Sequence, residues 1–328
     1  MTTQKKIRTG MIRCDLHAIY YANLIQQHDP DLLREPEFGK GGYFYFYTHY
    51  NDPRKIAFPT IPGFQITKVW DEDRRAAENM SRIYYGEPKV CDTFQEVSDD
   101  VDLVFIADCN GDGSDHLKLA GPGLKKGVAT FVDKPFAYEV EDARALVRLA
   151  RQHSTPVMSL SILRAVPHAT LFRHRLKEIG QPEFGIIKGG GDTMAGHIHA
   201  ISLAQHLFGA GVESVETMGQ TPLACVHLDY GGKPNRPSAG VMLNCASGGT
   251  PHCAFYASAY SKLGAVHSPG IGDFEFPWGV VEILKKIKKM VKSGRAPEPY
   301  DEMVECIAIA TAARRSQKAR ERVRLSQC

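Results

Sequence analysis

The chain is 328 residues long, more than one hydrophobic core usually serves, so two domains are expected. With 43% hydrophobic and 23% charged residues and a net charge of +3, it has the balance of a soluble globular protein. This sets aside disordered, fibrous and membrane classes, and calls for neither a nucleic-acid partner nor a membrane surface. The N-terminus begins basic, but the apolar stretch that follows is too short and interrupted for a signal peptide or a spanning helix. The eight cysteines show no C-x-x-C spacing, which suits free thiols in a reducing cytoplasm better than disulfides or a zinc site.

Residues 5–12 read as a first strand, and 15–27, with Leu16, Ile19, Tyr20 and Leu24 at helical spacing, as the helix after it. A strand running straight into a helix opens a nucleotide-binding unit. Prolines and the aromatic run GGYFYFYTHY then break every period over 28–62, which predicts an inserted loop or flap. A strand at 64–70, a helix near 74–83, a strand at 101–107, a helix from about 115, a strand at 128–132, a helix at 139–153 and a strand at 156–162 follow. Strands that are apolar throughout and separated by helices imply a parallel sheet covered on both faces, so a doubly wound Rossmann-type domain is expected over 1–160. A helix at 168–179, a strand at 183–188, short strands within 212–258 and helices at 278–293 and 300–318 predict an α+β domain over 161–328, built on an open, mostly antiparallel sheet.

Lys134 lies directly after a parallel strand and directly before a proline, which places it at the carboxyl edge of the sheet, where open α/β folds bind ligands. Proline removes a backbone donor and can hold a cis bond, fixing the direction in which the lysine points. The surrounding string resembles the Gfo/Idh/MocA family of NAD(P)-dependent sugar and cyclitol dehydrogenases. Asp102, Val104, Ile106, Ala107, Asn110 and His116 answer the family's DxVxIATPNxxH, with three extra residues in the turn. Asp133, Lys134 and Pro135 answer its EKP, and Arg164 and Pro167 the segment after the next strand. In the second half, AGHIHAISLAQHLFG answers D-x-G-x-H-x-x-D, with His199 on the histidine, Ser202 on the second aspartate and Gly209 on the closing glycine.

The resemblance implies a nicotinamide-dependent oxidoreductase in which Lys134 and His199 meet a sugar or cyclitol hydroxyl, histidine suiting the proton role because it titrates near neutral pH. It also implies cofactor contacts from Gly10, Ile12, Arg13, Cys14, Asp71, Ala107, Asn110, His116, Asp133 and Arg164, and substrate contacts from Lys134, Asp192, His197 and His199. A homodimer or homotetramer, burying the open face of the second sheet, is expected with it.

Three departures stand out. The family's aspartate four residues before the histidine is Ala195, with Asp192 and His197 near enough in sequence to substitute. The segment GMIRCDLHA keeps a single glycine where a G-x-G-x-x-G loop would let the backbone approach a pyrophosphate; Arg13 could pair with a phosphate, whereas Asp15 would repel one and reads as a helix N-cap. Asp71, the ribose-binding residue expected about 20 positions after such a loop, stands 61 positions after Gly10 because of the insertion. An acidic residue there favours NAD, while Arg74 and Arg75 leave NADP open. His197 and His199, with Asp192 and His206 nearby, have a spacing that could bind a metal, but the sequence singles out no third ligand, so no metal is expected. Two other functions fit the same residues: a redox-neutral glycoside cleavage with tightly held NAD, and a non-catalytic sugar or nucleotide binder that inherited the fold.

Overall fold

The computed structural model describes residues 6–47, 55–191, 193–245 and 255–328. The first half builds β1 (Ile7–Ile12), α1 (Leu16–Ala22), three short helices α2 (Pro30–Arg34), α3 (Pro36–Gly39) and α4 (Tyr43–Phe46), then β2 (Phe64–Trp70), α5 (Arg74–Ile83) and β3 (Lys89–Val90). It continues through β4 (Leu103–Ile106), α6 (His116–Lys125), β5 (Ala129–Val132), α7 (Val140–Gln152) and β6 (Val157–Met158). The strands pair in parallel in the order β3-β2-β1-β4-β5-β6. All four residues of β4 and of β5 are buried, as the covered centre of such a sheet requires. Tyr21 of α1 lies on Phe105, and Phe105 on Phe131, with ring centres 4.9 and 4.6 Å apart, so aromatic packing seats α1 against the two central strands.

The insertion is more ordered than a loop: α2 and α3 both begin at a proline, where the missing N–H has no helical partner to lose. Its aromatic run wraps α1, with Tyr20 against Tyr45 and Phe46 at 4.8 and 4.7 Å. The helix expected over 15–27 closes earlier, at Ala22.

The second half folds as α8 (Pro167–Arg175), β7 (Phe184–Lys188), α9 (Met194–Phe208), β8 (Ser214–Met218), β9 (Cys225–Asp229), β10 (Val241–Asn244), β11 (Tyr256–Ser261), β12 (Gly264–His267), α10 (Phe276–Ser293), α11 (Tyr300–Ala319) and β13 (Val323–Arg324). The strands form a sheet in the order β12-β11-β7-β10-β9-β8-β13, antiparallel except for the β7–β10 pair. α9 lies close on it because residue 185 is glycine: a Cβ there would stand 2.5 Å from the Phe208 ring. α11 runs back to the first sheet, where Tyr300 Oη accepts from the Val157 amide at 3.4 Å and Arg314 donates to Tyr138 O at 2.8 Å while stacking on its ring. The insertion spans the same gap, Phe58 meeting Trp278 at 5.4 Å. No helix among the described residues is long and apolar enough to cross a membrane.

Candidate active site

The strand order reverses between β1 and β4, which opens a crevice at their carboxyl ends. The turn leaving β1 carries Arg13 in the left-handed conformation, φ +68°, where this fold usually places glycine. Its guanidinium is spent on two carboxylates, Asp108 at 3.1 Å and Asp115 at 2.5 Å. Asp15 caps α1 as its sequence position implies, accepting from the Ala18 amide at 3.0 Å, and its other oxygen takes the Cys109 amide at 2.7 Å. The Cys14 amide donates to Asp71 at 2.7 Å, so the carboxylate ending β2 closes the turn from its other side.

The other residues expected to touch the cofactor stand in several different environments. Gly10 is inside β1, where a Cβ would meet Val97 O at 2.3 Å; its smallness serves packing against that neighbour rather than a phosphate turn. Ile12, Cys14 and Ala107 have buried side chains, and Asn110 is exposed in the turn after β4. His116 is fully buried, with Nδ1 2.8 Å from Pro135 O and Nε2 3.1 Å from Asp108. Both ring nitrogens are thus engaged within the protein, and His116 ties the 108–115 turn to the DKP turn instead of reaching outward. Beside it, His116 and Arg13 hold the Asp108 carboxyl below its ordinary range against the opposing effect of burial.

β5 delivers Asp133 and Lys134, and the Lys134–Pro135 peptide is cis. Asp133 is almost wholly buried and accepts from the Lys134 amide at 2.8 Å. Its second oxygen lies 2.5 Å from His17 Nδ1. Burial alone would disfavour the imidazolium, but this carboxylate prevails and raises His17 to about 10. Sequence reading passed over His17. The available signal was its place in the first turn of a helix entered directly from β1, the same sheet edge on which Asp133 ends β5.

Lys134 is 4% exposed, and its ammonium donates to Cys109 O at 2.8 Å and to Ala195 O at 3.3 Å, leaving one N–H to spare. Ala195 lies in the first turn of α9, capped by Thr193, so the lysine of one sheet grips a helix of the other. Gly196 permits that helix start: a Cβ there would stand 1.7 Å from Gly190 O. One turn on, His199 Nδ1 meets Ser161 Oγ at 2.7 Å, and burial together with the nearby Lys134 and His17 charges pushes its pKa well down, leaving the ring neutral. Lys134, His17 and His199 therefore converge, and Ser161 joins them without having been expected.

His197 is fully buried with neither ring nitrogen partnered among the described residues, so it faces the interior rather than a substrate. Asp192 lies outside the described residues. Arg164 also lies away from the cofactor crevice, bonded to Gln205 at 2.6 Å and Glu302 at 2.7 Å. It shares with Lys134, Ser161 and Ser202 the wall of a small cavity of about 30 Å³.

A crevice on the carboxyl edge of a parallel sheet, closed by a helix from a second sheet-built half, is the architecture of a two-domain, dinucleotide-type oxidoreductase. Residues 38–160 match the Gfo/Idh/MocA model, described as an oxidoreductase family with an NAD-binding Rossmann fold. No curated protein matches the sequence. Solved structures similar along the whole chain include an oxidoreductase from Agrobacterium radiobacter in complex with NAD+, L-tartaric acid and magnesium (16% identity, 98% of this chain and 99% of that chain, TM-score 0.70). Others are myo-inositol 2-dehydrogenase from Lactobacillus plantarum (12%, 98% and 99%, 0.71) and scyllo-inositol dehydrogenase from Lactobacillus casei (13%, 99% and 100%, 0.72). At these identities the likeness is one of fold.

NAD is the cofactor of this family. Asp71 ends β2 half-exposed, suited to an adenosine ribose, and the Cys14, Ala18 and Cys109 amides converge on the turn as a phosphate requires. Each of those amides already meets a carboxylate oxygen of this chain. Asp15 holds the Ala18 and Cys109 amides and Asp71 the Cys14 amide, so a phosphate would have to displace both carboxylates to use this donor set, and the family match begins at residue 38, beyond this turn.

Proposed function

We propose that the chain is an NAD-dependent dehydrogenase acting on a secondary hydroxyl of a sugar, sugar acid or cyclitol, with Lys134 and His199 at the reacting carbon. The observation that supports this most is the bond from the Lys134 ammonium to Ala195 O, one helical turn before His199, whose ring is kept neutral by burial and the nearby lysine charge. When bound, NAD supplies the hydride acceptor.

The two carbonyls that hold Lys134 leave its third N–H for the substrate oxygen, where a cation stabilises a developing alkoxide. With Nδ1–H donated to Ser161 Oγ, His199 presents a bare Nε2 that takes the hydroxyl proton. The His17–Asp133 pair is a positioning element: it holds the carboxylate whose other oxygen fixes the Lys134 amide. Ala195 removes the carboxylate that would share proton abstraction, which leaves His199 as the base. Asp71 would hold the adenosine ribose of a bound dinucleotide and so favour NAD over NADP.

The test begins by denaturing the purified protein and assaying the supernatant for a dinucleotide, then following thermal stability with NAD and NADP. Reduced cofactor should accumulate with one of a panel of inositols and aldonic acids, and Lys134→Ala should lower kcat by about a thousandfold while leaving NAD bound. Undiminished turnover in Lys134→Ala would remove the assignment, and absence of both released nucleotide and thermal shift would favour the non-catalytic reading, which the self-occupied turn at Asp15 suits.

A further inference from the structure

Helices α8, α9 and α10 border a second cavity of about 450 Å³. Its charged lining is four cations, Arg164, Arg173, Arg236 and Lys286, and two carboxylates, Glu298 and Glu302. The inner charges cancel: Lys286 pairs with Glu298 at 2.5 Å and Arg164 with Glu302 at 2.7 Å. The remaining two do not. Among the described residues, Arg236 donates only to the carbonyls of Ala210 and Asn235, at 2.7 and 2.9 Å, and Arg173 has no carboxylate partner.

The placement of Arg236 is built into the backbone. Gly209 ends α9 at φ +92°, and a Cβ there would stand 2.6 Å from the Arg236 guanidinium carbon, so glycine gives the cation its seat. His206 lines the same cavity, and its Nε2 is buried without a partner among the described residues. A buried ring nitrogen beside two unpaired guanidiniums lacks an acceptor, and an oxyanion supplies it.

We propose that this cavity binds a phosphate group, held by Arg173 and Arg236 and by a hydrogen bond from His206 Nε2. Two guanidiniums offer the forked donors that a dianionic phosphoryl group takes up. The site is separate from the cofactor crevice, yet Leu160, Arg164, Glu298 and Glu302 line both this cavity and the one that contains Lys134. A phosphorylated metabolite seated here would therefore press on the wall behind the reaction centre.

The test uses the intact protein without dinucleotide, so that its outcome is independent of the redox reading. Inorganic phosphate and glycerol 3-phosphate are titrated by calorimetry and by thermal unfolding, at ionic strength held constant with sodium chloride. Saturable binding is expected, weakened at least tenfold in Arg173→Ala and in Arg236→Ala and unchanged in Lys134→Ala. The His206 ring signals, assigned with His206→Gln, should move on titration. Tighter binding of glycerol 3-phosphate identifies a metabolite as the source of the phosphate, and tighter binding of inorganic phosphate identifies the free ion; both support the site. Since Arg173 is exposed, its replacement reports on binding even if Arg236→Ala disturbs the fold. Stabilisation equal to that from chloride, or affinity unchanged in the Arg173→Ala/Arg236→Ala double variant, would mean an adventitious ion only and would overturn the proposal.

Discussion

Replacing His17 with Leu removes the ring that faces a carboxylate only 2% exposed. Breaking a buried pair from one side costs about 3–5 kcal/mol. His17 is itself 21% exposed, and Asp133 keeps the Lys134 amide, so the expected loss is about 2–3 kcal/mol. The pH dependence gives this number a signature. His17 is raised in the folded chain to about 10 from 6.5. Below about pH 6.5 both folded and unfolded chains hold the proton and the pair contributes fully; as pH rises towards about 10 only the folded chain holds it, and the contribution is lost at about 1.4 kcal/mol per pH unit until exhausted. Urea unfolding of the wild type and His17→Leu between pH 6 and pH 10 measures the gap directly. It should be widest at pH 6 and, at that slope, close by about pH 8.5. A gap that stays constant over this range, or one under about 0.5 kcal/mol at pH 6, would refute the charged-pair reasoning.

Gly196→Ala should cost at least about 3 kcal/mol in chemical denaturation, because a Cβ 1.7 Å from Gly190 O forces the start of α9 off the chain beside it. Asp15→Gly should tighten NAD about tenfold by calorimetry, since it removes a carboxylate from amides that a pyrophosphate would use, and should lower stability by about 1 kcal/mol through the lost cap; weaker NAD binding would count against the proposed cofactor placement. Ser161→Ala deprives His199 of its 2.7 Å partner and should lower kcat about fivefold with little change in KM, whereas an equal rise in KM would point to a substrate-binding role.

Legibility in the sequence followed the range of the forces involved. Strands β2, β4 and β5 and helices α5, α7, α10 and α11 were visible because burial imposes a period or an unbroken apolar run on neighbouring positions. The helices inside 28–62 were hidden because prolines read as breakers, while at N1 they start helices. Lys134 and His199 could be placed by family order, and the structure brings them together. His17 and Ser161 could not, since each acts through a partner more than 30 positions away, Asp133 and His199. His116 and Gly10 show the converse: residues that matched a motif position serve packing here, His116 as a buried bridge and Gly10 as room for Val97.

The path of α11 sets an order on how the molecule is made. Tyr300, Met303 and Arg314 bond to Val157, Ser159 and Tyr138, so the face of the first sheet's α7 side is finished by residues more than 140 positions further along the chain. Until that helix has emerged from the ribosome those contacts cannot form, although the strands of the first sheet are all present much earlier. A chain stalled or nicked ahead of residue 300 would expose that face, and a protease or chaperone would meet it there first.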